Sequence, residues 1–424
     1  MPAFELPNCE LGVATAATQI EGGQLDTNWH RWAAAGRIKD GSSPARACDH
    51  WNRVFEDIDL LVELGIKHYR MGIEWARVEP DPGQFDRDAI QHYRDEVAAL
   101  RAAGIAPLVT IHHFNLPGWL VDSGGWLGPD IRVAFGRLTR LLVTELGSWV
   151  EEWIPINEPN IYATHGFLYG EWPPGERSAI KALRVMQVEA EVHIAAYQMI
   201  HALQPQAKVG SAGHLRAFAP ADARNPLHRL ASAGGEYLFQ RALLKAMNTG
   251  RFDPPFVRPS GVVPGRYYDF QGVNYYSRST VRSIGDGVAD GVPVNDLGWE
   301  IYPAGIIEVC RWIHEAYPSP IYITENGTCD NSESFRSRYL YDHLSQIAAS
   351  ELPIQRYYHW CFTDNWEWAE GEVPKFGLVG LDYQTQERTI KDSGRFFADI
   401  IANSGVTQAA FERWVADQQY RTNS

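Results

Sequence analysis

Short apolar runs rich in β-branched residues alternate with longer segments of helical period along most of this 424-residue chain. Such alternation is typical of βα units, in which a helix follows each strand of a parallel sheet. It therefore predicts an α/β protein. We predict eight strands, at Cys9–Ala14, Lys67–Ile73, Ala106–His112, Glu152–Ile156, Lys208–Ala212, Phe270–Tyr275, Ile321–Thr324 and Gln355–Cys361.

The intervals between these runs carry apolar residues at helical spacing and end in helix stop signals. Gly65 and Gly104 each stand where a helix should end, directly before the next strand. We predict helices at His50–Leu64, Arg87–Ala103, Ile131–Leu146, Ile180–Leu203, Gly234–Asn248, Pro303–Ala316 and Ser334–Glu351, with Arg395–Asn403 closing the ring.

No Pro/Ser-rich linker interrupts this alternation, which favours one domain over two doubly wound domains. We therefore predict that residues 1–424 form a single catalytic (β/α)₈ TIM barrel with elaborated βα loops. The Gly/Asp-rich stretch Ser283–Gly298 would be a loop on the active face. A short polar segment from about residue 404 would carry one or two helical turns at Ala409–Gln418.

Charge and cysteine content restrict the partners and the compartment. With 38 basic and 52 acidic residues the net charge is −14, so nucleic acid or an anionic membrane would be repelled. No stretch reaches the roughly 18 apolar residues of a membrane span. Pro2 and Glu5 stand where a signal peptide needs basic and then apolar residues. The five scattered cysteines indicate reduced thiols, and we predict a cytoplasmic protein of undetermined oligomeric state.

Two glutamates stand at the ends of predicted strands. Glu158 follows the fourth strand, before Pro159, and Glu325 directly follows the seventh, before Asn326. Catalytic side chains of a barrel collect at the carboxyl ends of its strands, and a carboxyl pair suits glycoside hydrolysis, with one group donating a proton and the other attacking the anomeric carbon. Taken alone, the pair fits two surface glutamates equally well.

The residues around both glutamates resemble the twin signatures of glycoside hydrolase family 1, the β-glucosidases and their relatives. Ile156-Asn157-Glu158-Pro159 resembles the first signature and Ile323-Thr324-Glu325-Asn326-Gly327 the second. The resemblance spans about Gly12 to Tyr383. Other motifs of the family are resembled, in the right order, by Ala16–Gly22, His113–Trp119, Asn274–Tyr276 and Trp360–Gly371.

The resemblance implies a role for each catalytic residue. Glu158 would be the acid/base and Glu325 the nucleophile, with Arg70, Tyr276 and Asn274 completing the catalytic set. A guanidinium beside the nucleophile would keep it ionised, and an ionised nucleophile would raise the pKa of the second carboxyl. A structural ion pair for Arg70 and a packing role for Tyr276 remain the alternatives.

The resemblance also implies a subsite for one sugar. Polar groups would bind its hydroxyls and flat rings its C–H face. The hydroxyl partners would be Gln19, His113, Asn157 and Glu367, the stacking rings Trp360 and Trp368, and the aglycone-side ring Trp299. We expect no metal, since the adjacent His112 and His113 would face opposite sides of a strand, and no cofactor, since both catalytic groups are protein carboxyls. A cis peptide is expected between Trp360 and Cys361.

Two departures from the family pattern bear on the substrate. Phe114 and Asn115 stand where the family has Trp-Asp, so one indole N–H is lost and the contact to the sugar 3-hydroxyl is in doubt. The 6-phosphoglycosidase branch has Ser, Lys and Tyr at the positions of Glu367, Pro374 and Phe376. A phosphate would meet a glutamate instead of those donors, which disfavours phosphorylated substrates.

The predicted activity is that of a retaining exo-β-glycosidase of β-glucosidase type. It would hydrolyse neutral β-D-glycosides, including short oligosaccharides, through a covalent glycosyl-enzyme ester. Glucose, galactose and fucose are not distinguished by the sequence. Two alternatives remain, namely a transglycosidase that uses the same site and a catalytically silent sugar-binding barrel. The presence of both Glu158 and Glu325 argues against the silent barrel.

Overall fold

Eight parallel strands, each hydrogen-bonded to two neighbours, close into one barrel. The computed structural model describes residues 3–283 and 285–423. Around the ring the order is β7, β8 and then β1 to β6. The strands are β1 Glu10–Ala14, β2 His68–Gly72, β3 Ala106–His112, β4 Glu152–Ile156, β5 Lys208–His214, β6 Phe270–Asn274, β7 Ile321–Asn326 and β8 Ile354–Trp360.

The strands are buried almost throughout, because the barrel interior and the surrounding helices cover both of their faces. The helices around the barrel are α1 His50–Glu63, α2 Arg87–Ala102, α3 Ile131–Leu146, α4 Ala179–Leu203, α5 Pro226–Glu236, α6 Ala242–Thr249, α7 Gly305–Ala316, α8 Arg336–Ala348 and α9 Asp392–Asn403. The sequence prediction of a (β/α)₈ barrel is confirmed.

Short elements decorate the ends of the barrel. Further α-helices lie at Ala17–Ile20, Asn28–Ala34, Trp75–Val78, Gly118–Asp122, Pro159–Ala163 and Gln408–Trp414. Two 3₁₀ turns lie at Gly125–Leu127 and Trp368–Glu370, and two π-helical segments at Thr164–Tyr169 and Tyr237–Arg241. Short strands lie at Phe4–Glu5, Ala217–Pro220, Arg278–Val281, Asp286–Gly287, Pro293–Val294, Val379–Leu381, Arg388–Ile390, Gly405–Val406 and Arg421–Thr422.

The predicted helix Gly234–Asn248 is wrong in its start and in its continuity. Helix α5 begins earlier, at Pro226, where the Asn225 side chain accepts a hydrogen bond from the Leu227 amide. Asparagine at the N-cap and proline at the first position are strong start signals. The π-helical segment then separates α5 from α6, so the glycine pair at 234 and 235 lies inside a helix.

The segment after residue 404 is tied to the barrel. Its strand Arg421–Thr422 pairs with Pro293–Val294 of the loop that follows β6, and Val415 is fully buried. The predicted helical turns are present as the helix Gln408–Trp414. Of the predicted loop Ser283–Gly298, residue 284 lies outside the described residues. None of the helices in the described ranges combines the length and apolar character of a membrane span.

One buried carboxyl of the helix layer predicts a pH-dependent stability. Glu189 on α4 is fully buried, and its oxygens have no hydrogen-bond partner among the described residues. Burial raises the pKa of Glu189 well above its usual range. The folded protein therefore holds a proton that the unfolded chain releases above about pH 4.3, and the stability cost grows as the pH rises above that value.

Replacing this residue should therefore stabilise the protein. We expect Glu189→Gln to raise the free energy of unfolding at pH 7 by on the order of 2 kcal/mol, with little gain near pH 4. Urea denaturation at both pH values measures the difference, with Glu63→Gln on the exposed face of α1 as the control. An equal effect of Glu189→Gln at both pH values would contradict this account.

Candidate active site

Glu158 is held directly beyond the carboxyl end of β4 by an unusual backbone conformation. Its φ is +40°, a left-handed value that costs a non-glycine residue free energy and is found most often at functional sites. The next residue, Pro159, begins a short helix, and the Glu158 amide donates to the Ala212 carbonyl on β5 at 2.7 Å. This turn fixes the carboxyl in a buried position at the top of the barrel.

Glu325 lies within β7, opposite Asn274 of β6, at an irregularity in the strand pairing. Its Oε1 accepts a hydrogen bond from the fully buried Arg70 guanidinium, and its Oε2 accepts one from the Tyr276 hydroxyl at 2.6 Å. Arg70 also donates to the Asn157 side-chain oxygen at 2.6 Å. Both oxygens of the Glu325 carboxylate are thus hydrogen-bonded, and one of the two donors is the Arg70 cation.

Glu158 has different partners. Its Oε1 accepts hydrogen bonds from Asn274 Nδ2 and from His214 Nδ1, each at 2.9 Å. Arg216 Nε donates to the other ring nitrogen of His214 at 3.1 Å, which assigns the ring proton to Nδ1. His214 therefore reaches Glu158 as a neutral donor. The sequence does not single out His214, since the predicted fifth strand ends at Ala212 whereas the observed strand ends at His214.

Burial dominates the ionisation of both carboxyls. It raises the pKa of Glu158 to about 7, against the opposing effects of the Asn274 hydrogen bond and of the Arg70 charge. Burial likewise raises the pKa of Glu325 to about 7, with Arg70 lowering it and the charge of Glu158 raising it further. Because Arg70 hydrogen-bonds Glu325 directly, we expect Glu325 to hold the charge that this coupled pair carries near neutrality.

A third carboxyl, that of Glu367, faces the same cavity. Its Oε2 accepts a hydrogen bond from Gln19 Nε2 at 3.1 Å, and burial together with the charge of Glu325 raises its pKa to about 8. Asn157 Nδ2 donates to His113 Nε2 at 2.9 Å. Gln19 Oε1 and His113 Nδ1 are buried without partners in the described part of the chain, a feature of polar atoms that await a ligand.

Aromatic rings enclose these polar groups. The Trp368 ring stacks on His113 with 5.8 Å between centroids, and Trp360 lies 5.7 Å from the same histidine. Trp299 is about one-third exposed and contacts Tyr276 edge-on at 5.8 Å. The peptide between Trp360 and Cys361 is cis, as the sequence analysis expected. The site therefore combines flat apolar walls with hydroxyl-binding groups.

One cavity of about 440 Å³, here called the sugar cavity, brings the predicted site residues together. It is lined by His113, Glu158, Tyr276, Trp299, Glu325, Trp360, Glu367 and Trp368. Each of the other four residues hydrogen-bonds one of these, namely Gln19 to Glu367, Arg70 to Glu325, Asn157 to His113 and Asn274 to Glu158. The lining of the sugar cavity also includes residues that are not predicted from the sequence: Trp32, Arg37, Lys39, His165, Glu171, Trp172, His214 and Arg216.

Phe114 and Asn115, the two residues that depart from the family pattern, have different surroundings. The Phe114 ring lines the sugar cavity and lies edge-on to Trp368, where it offers no hydrogen-bond donor. The side chain of Asn115 is buried and donates to Glu74 Oε1 at 2.9 Å. His112 is buried against Trp126, away from His113, and no metal-binding cluster of three His, Cys, Asp or Glu occurs in residues 3–283 and 285–423.

Two buried carboxyls at the carboxyl ends of barrel strands, facing an aromatic cavity with polar groups, define a glycoside hydrolase site. The model of glycosyl hydrolase family 1 matches residues 8–256 and 266–406. Beta-glucosidase A of Thermotoga maritima is 33% identical over 434 aligned residues, which cover 93% of this chain and 97% of that protein. The chain belongs to glycosyl hydrolase family 1.

Solved structures agree with this assignment. The Thermotoga maritima beta-glucosidase in complex with glucoimidazole superposes with a TM-score of 0.89 at 31% identity, over 96% of this chain and 100% of that one. The beta-glycosidase from Pyrococcus horikoshii gives a TM-score of 0.90 at 32% identity, over 98% of both chains.

Proposed function

We propose that this chain is a retaining exo-β-glycosidase that hydrolyses neutral β-D-glycosides, with Glu325 as nucleophile and Glu158 as acid/base. The observation that carries the assignment is the difference between the two carboxyls. Glu325 is hydrogen-bonded to the Arg70 cation, whereas Glu158 is hydrogen-bonded to neutral donors on Asn274 and His214. The ionised group is the one suited to attack, and the protonated group the one suited to donate.

In the first step, an oxygen of Glu325 forms a bond to the anomeric carbon as the bond to the aglycone oxygen breaks. Glu158 donates its proton to that leaving oxygen, so the aglycone departs as a neutral alcohol. Since Glu158 Oε1 accepts two hydrogen bonds, we place the transferable proton on Oε2. In the second step Glu158 removes a proton from water, the resulting oxygen attacks the anomeric carbon, and Glu325 is released as a carboxylate.

The surrounding residues support these steps. Esterification removes the charge of Glu325, which lowers the pKa of Glu158 and prepares it to act as a base. The Tyr276 hydroxyl and Arg70 hold the nucleophile in one orientation. The amide of Asn157, fixed by Arg70 and His113, is the candidate partner of the sugar 2-hydroxyl, where contacts strengthen in the transition state.

The ionisation of the pair predicts the pH profile of kcat/KM. Activity should fall on the acid side as Glu325 takes up a proton, and on the alkaline side as Glu158 loses one, with apparent pKa values on either side of about 7. Initial rates on an aryl β-D-glucoside across pH 4 to 10 measure both limbs.

The variant Glu158→Gln, assayed on a 2,4-dinitrophenyl β-D-glucoside that needs no proton, tests the assignment of the limbs. The alkaline limb should disappear. The acid limb should stay close to its position in the parent protein, because Glu158 is already protonated, and therefore as uncharged as glutamine, in the pH range where Glu325 takes up its proton. An alkaline limb that persists in Glu158→Gln would assign that ionisation to another group.

The proposed substrate is a neutral β-glycoside, with glucose as the expected sugar. Glu367 and Gln19 lie where they can bind neighbouring hydroxyls, and the carboxyl of Glu367 would repel the phosphate of a phosphorylated sugar. The test is turnover of 4-nitrophenyl β-D-glucoside, β-D-galactoside, β-D-fucoside and a β-D-glucoside 6-phosphate. Turnover of a neutral sugar supports the proposal, whereas turnover of the phosphorylated one alone would overturn it.

We also propose a cytoplasmic location. The five cysteines are buried and unpaired, and burial raises the pKa of each thiol, as expected of inert reduced cysteines. Fractionation of the producing cells, followed by detection of the protein in each fraction, tests the location.

A further inference from the structure

A second cavity, of about 620 Å³, adjoins the sugar cavity, and we call it the side pocket. The two cavities share three lining residues, His165, Glu171 and Arg216. Beyond these polar residues the side pocket is largely apolar, with Leu168, Leu183, Met186, Phe218, Leu238 and Phe239 in its wall. Its volume lies in the range of small-molecule sites, and neither the sugar nor the catalytic steps described above use it.

The side pocket begins where the leaving group would emerge. Glu158 donates its proton to the aglycone oxygen, so the aglycone lies on the side of the sugar cavity that holds Glu158 and its partner His214. Arg216 donates to His214 at 3.1 Å, and its guanidinium lies over the Phe239 ring at 4.9 Å. A short path therefore runs from the acid/base, past Arg216, to the apolar wall of the side pocket.

Two irregular helical segments build part of the wall of the side pocket. Thr164–Tyr169 contributes Leu168, and Tyr237–Arg241 contributes Leu238 and Phe239. Both are π-helical, a rare conformation that is frequent at functional sites. Tyr169 and Leu238 line the pocket yet remain 46% and 47% exposed, so an apolar occupant would bury surface that the protein leaves in water.

From this geometry we infer that the side pocket is a binding site for a long apolar aglycone, an alkyl chain of at least about eight carbons attached through the glycosidic oxygen. The inference rests on the proposed function and narrows its substrate class to glycosides of lipophilic alcohols. Among the described lining residues, the carboxyl, guanidinium and imidazole groups are those of Glu171, Arg216 and His165, at the boundary with the sugar cavity. Apart from the hydroxyl groups of Thr164, Tyr169 and Ser283, the remaining wall is apolar and suits a hydrocarbon chain.

A series of alkyl β-D-glucosides from ethyl to octyl tests this inference, at concentrations below micelle formation. These alcohols are almost equally poor leaving groups, so kcat/KM across the series reports contacts of the chain. Each fully buried methylene contributes about threefold to fourfold. We expect kcat/KM of the octyl glucoside to exceed that of the ethyl glucoside by at least about 30-fold.

Two adjacent glycines of α5 provide a matched pair of variants. A Cβ at Gly235 would lie 3.6 Å from the Phe218 ring, in the side pocket, whereas a Cβ at Gly234 meets nothing within 4 Å. Neither has a positive φ, and leucine favours helix more than glycine does. Gly235→Leu should reduce the octyl-to-ethyl ratio to about threefold or less and leave ethyl glucoside turnover unchanged. Gly234→Leu should keep the ratio of the parent protein.

A second pair of variants, at two leucines, provides the same test if the glycine variants fold poorly. Leu238→Gln alters the pocket wall, and Leu230→Gln alters a leucine of α5 that is 71% exposed and outside the pocket. Only Leu238→Gln should lower the ratio, by about threefold or more.

Each remaining outcome has one meaning. Equal kcat/KM for ethyl and octyl glucosides in a protein that turns over 4-nitrophenyl β-D-glucoside would overturn the side-pocket inference and leave the proposed function intact. A ratio unchanged by both Gly235→Leu and Leu238→Gln would do the same. Absence of turnover of every glycoside would overturn the proposed function itself.

Discussion

Replacing Glu325 by alanine is expected to lower kcat/KM on aryl β-D-glucosides by at least about 10⁴-fold, because no other group can form the bond to the anomeric carbon. Added azide should restore turnover. It would enter the space left by the carboxylate and attack from the face opposite the leaving group. The product, identified by NMR, should be the α-glycosyl azide.

A matched control is available on another strand. Glu152 is a buried glutamate at the amino end of β4, whereas the sugar cavity lies at the carboxyl ends of the strands. Its side chain accepts a hydrogen bond from Tyr322. Glu152→Gln should keep activity within about threefold of the parent. If rescued Glu325→Ala gave the β-azide, the two catalytic glutamates would have to exchange their assigned roles.

Replacing Glu158 by alanine should lower the rate of hydrolysis by a factor that depends on the leaving group of the substrate. Hydrolysis of an alkyl or 4-nitrophenyl β-D-glucoside should fall by about 10²- to 10⁴-fold, the usual contribution of a general acid. The first step on a 2,4-dinitrophenyl glucoside should be almost unaffected, since that phenol leaves without a proton. Glycosyl-enzyme should then accumulate, because no base activates water.

The stereochemistry of azide rescue separates this variant from Glu325→Ala. In Glu158→Ala the ester at Glu325 still forms, and azide attacks it from the face that water would use. The product should be the β-glycosyl azide. Equal losses on good and poor leaving groups, with no accumulation of ester, would rule out Glu158 as the acid/base.

The barrel could be predicted from the sequence because short runs rich in apolar residues alternate with segments of helical period, and several helices carry stop signals such as Gly65 and Gly104. The strand ends were less predictable. The stretch Gly213-His214 reads as the start of a loop, yet both residues pair with β6 in the structure. Had the fifth strand been extended by these two residues, the rule that active residues follow barrel strands would have indicated His214.

The predicted site residues were found by their motifs, and the rest depended on contacts that sequence does not show. Arg70 and Glu325 lie 255 residues apart, and only the closed barrel brings their side chains together. Trp172 and Glu171 lie beyond the π-helical segment Thr164–Tyr169, whose register no simple periodicity predicts. The side pocket could not be predicted from the sequence either, because its wall is assembled from several segments that are separate along the chain.

The central claim is that Glu325 forms a covalent bond to the sugar. The most direct measurement is the intact mass, followed by a peptide map, after incubation with 2,4-dinitrophenyl 2-deoxy-2-fluoro-β-D-glucoside. The fluorine slows both steps while the activated phenol lets the first proceed, so the ester accumulates. The account predicts one added fluoro-sugar, on the peptide that contains Glu325. An adduct on Glu158, or no adduct with the gluco, galacto or fuco reagent on folded protein, would contradict it.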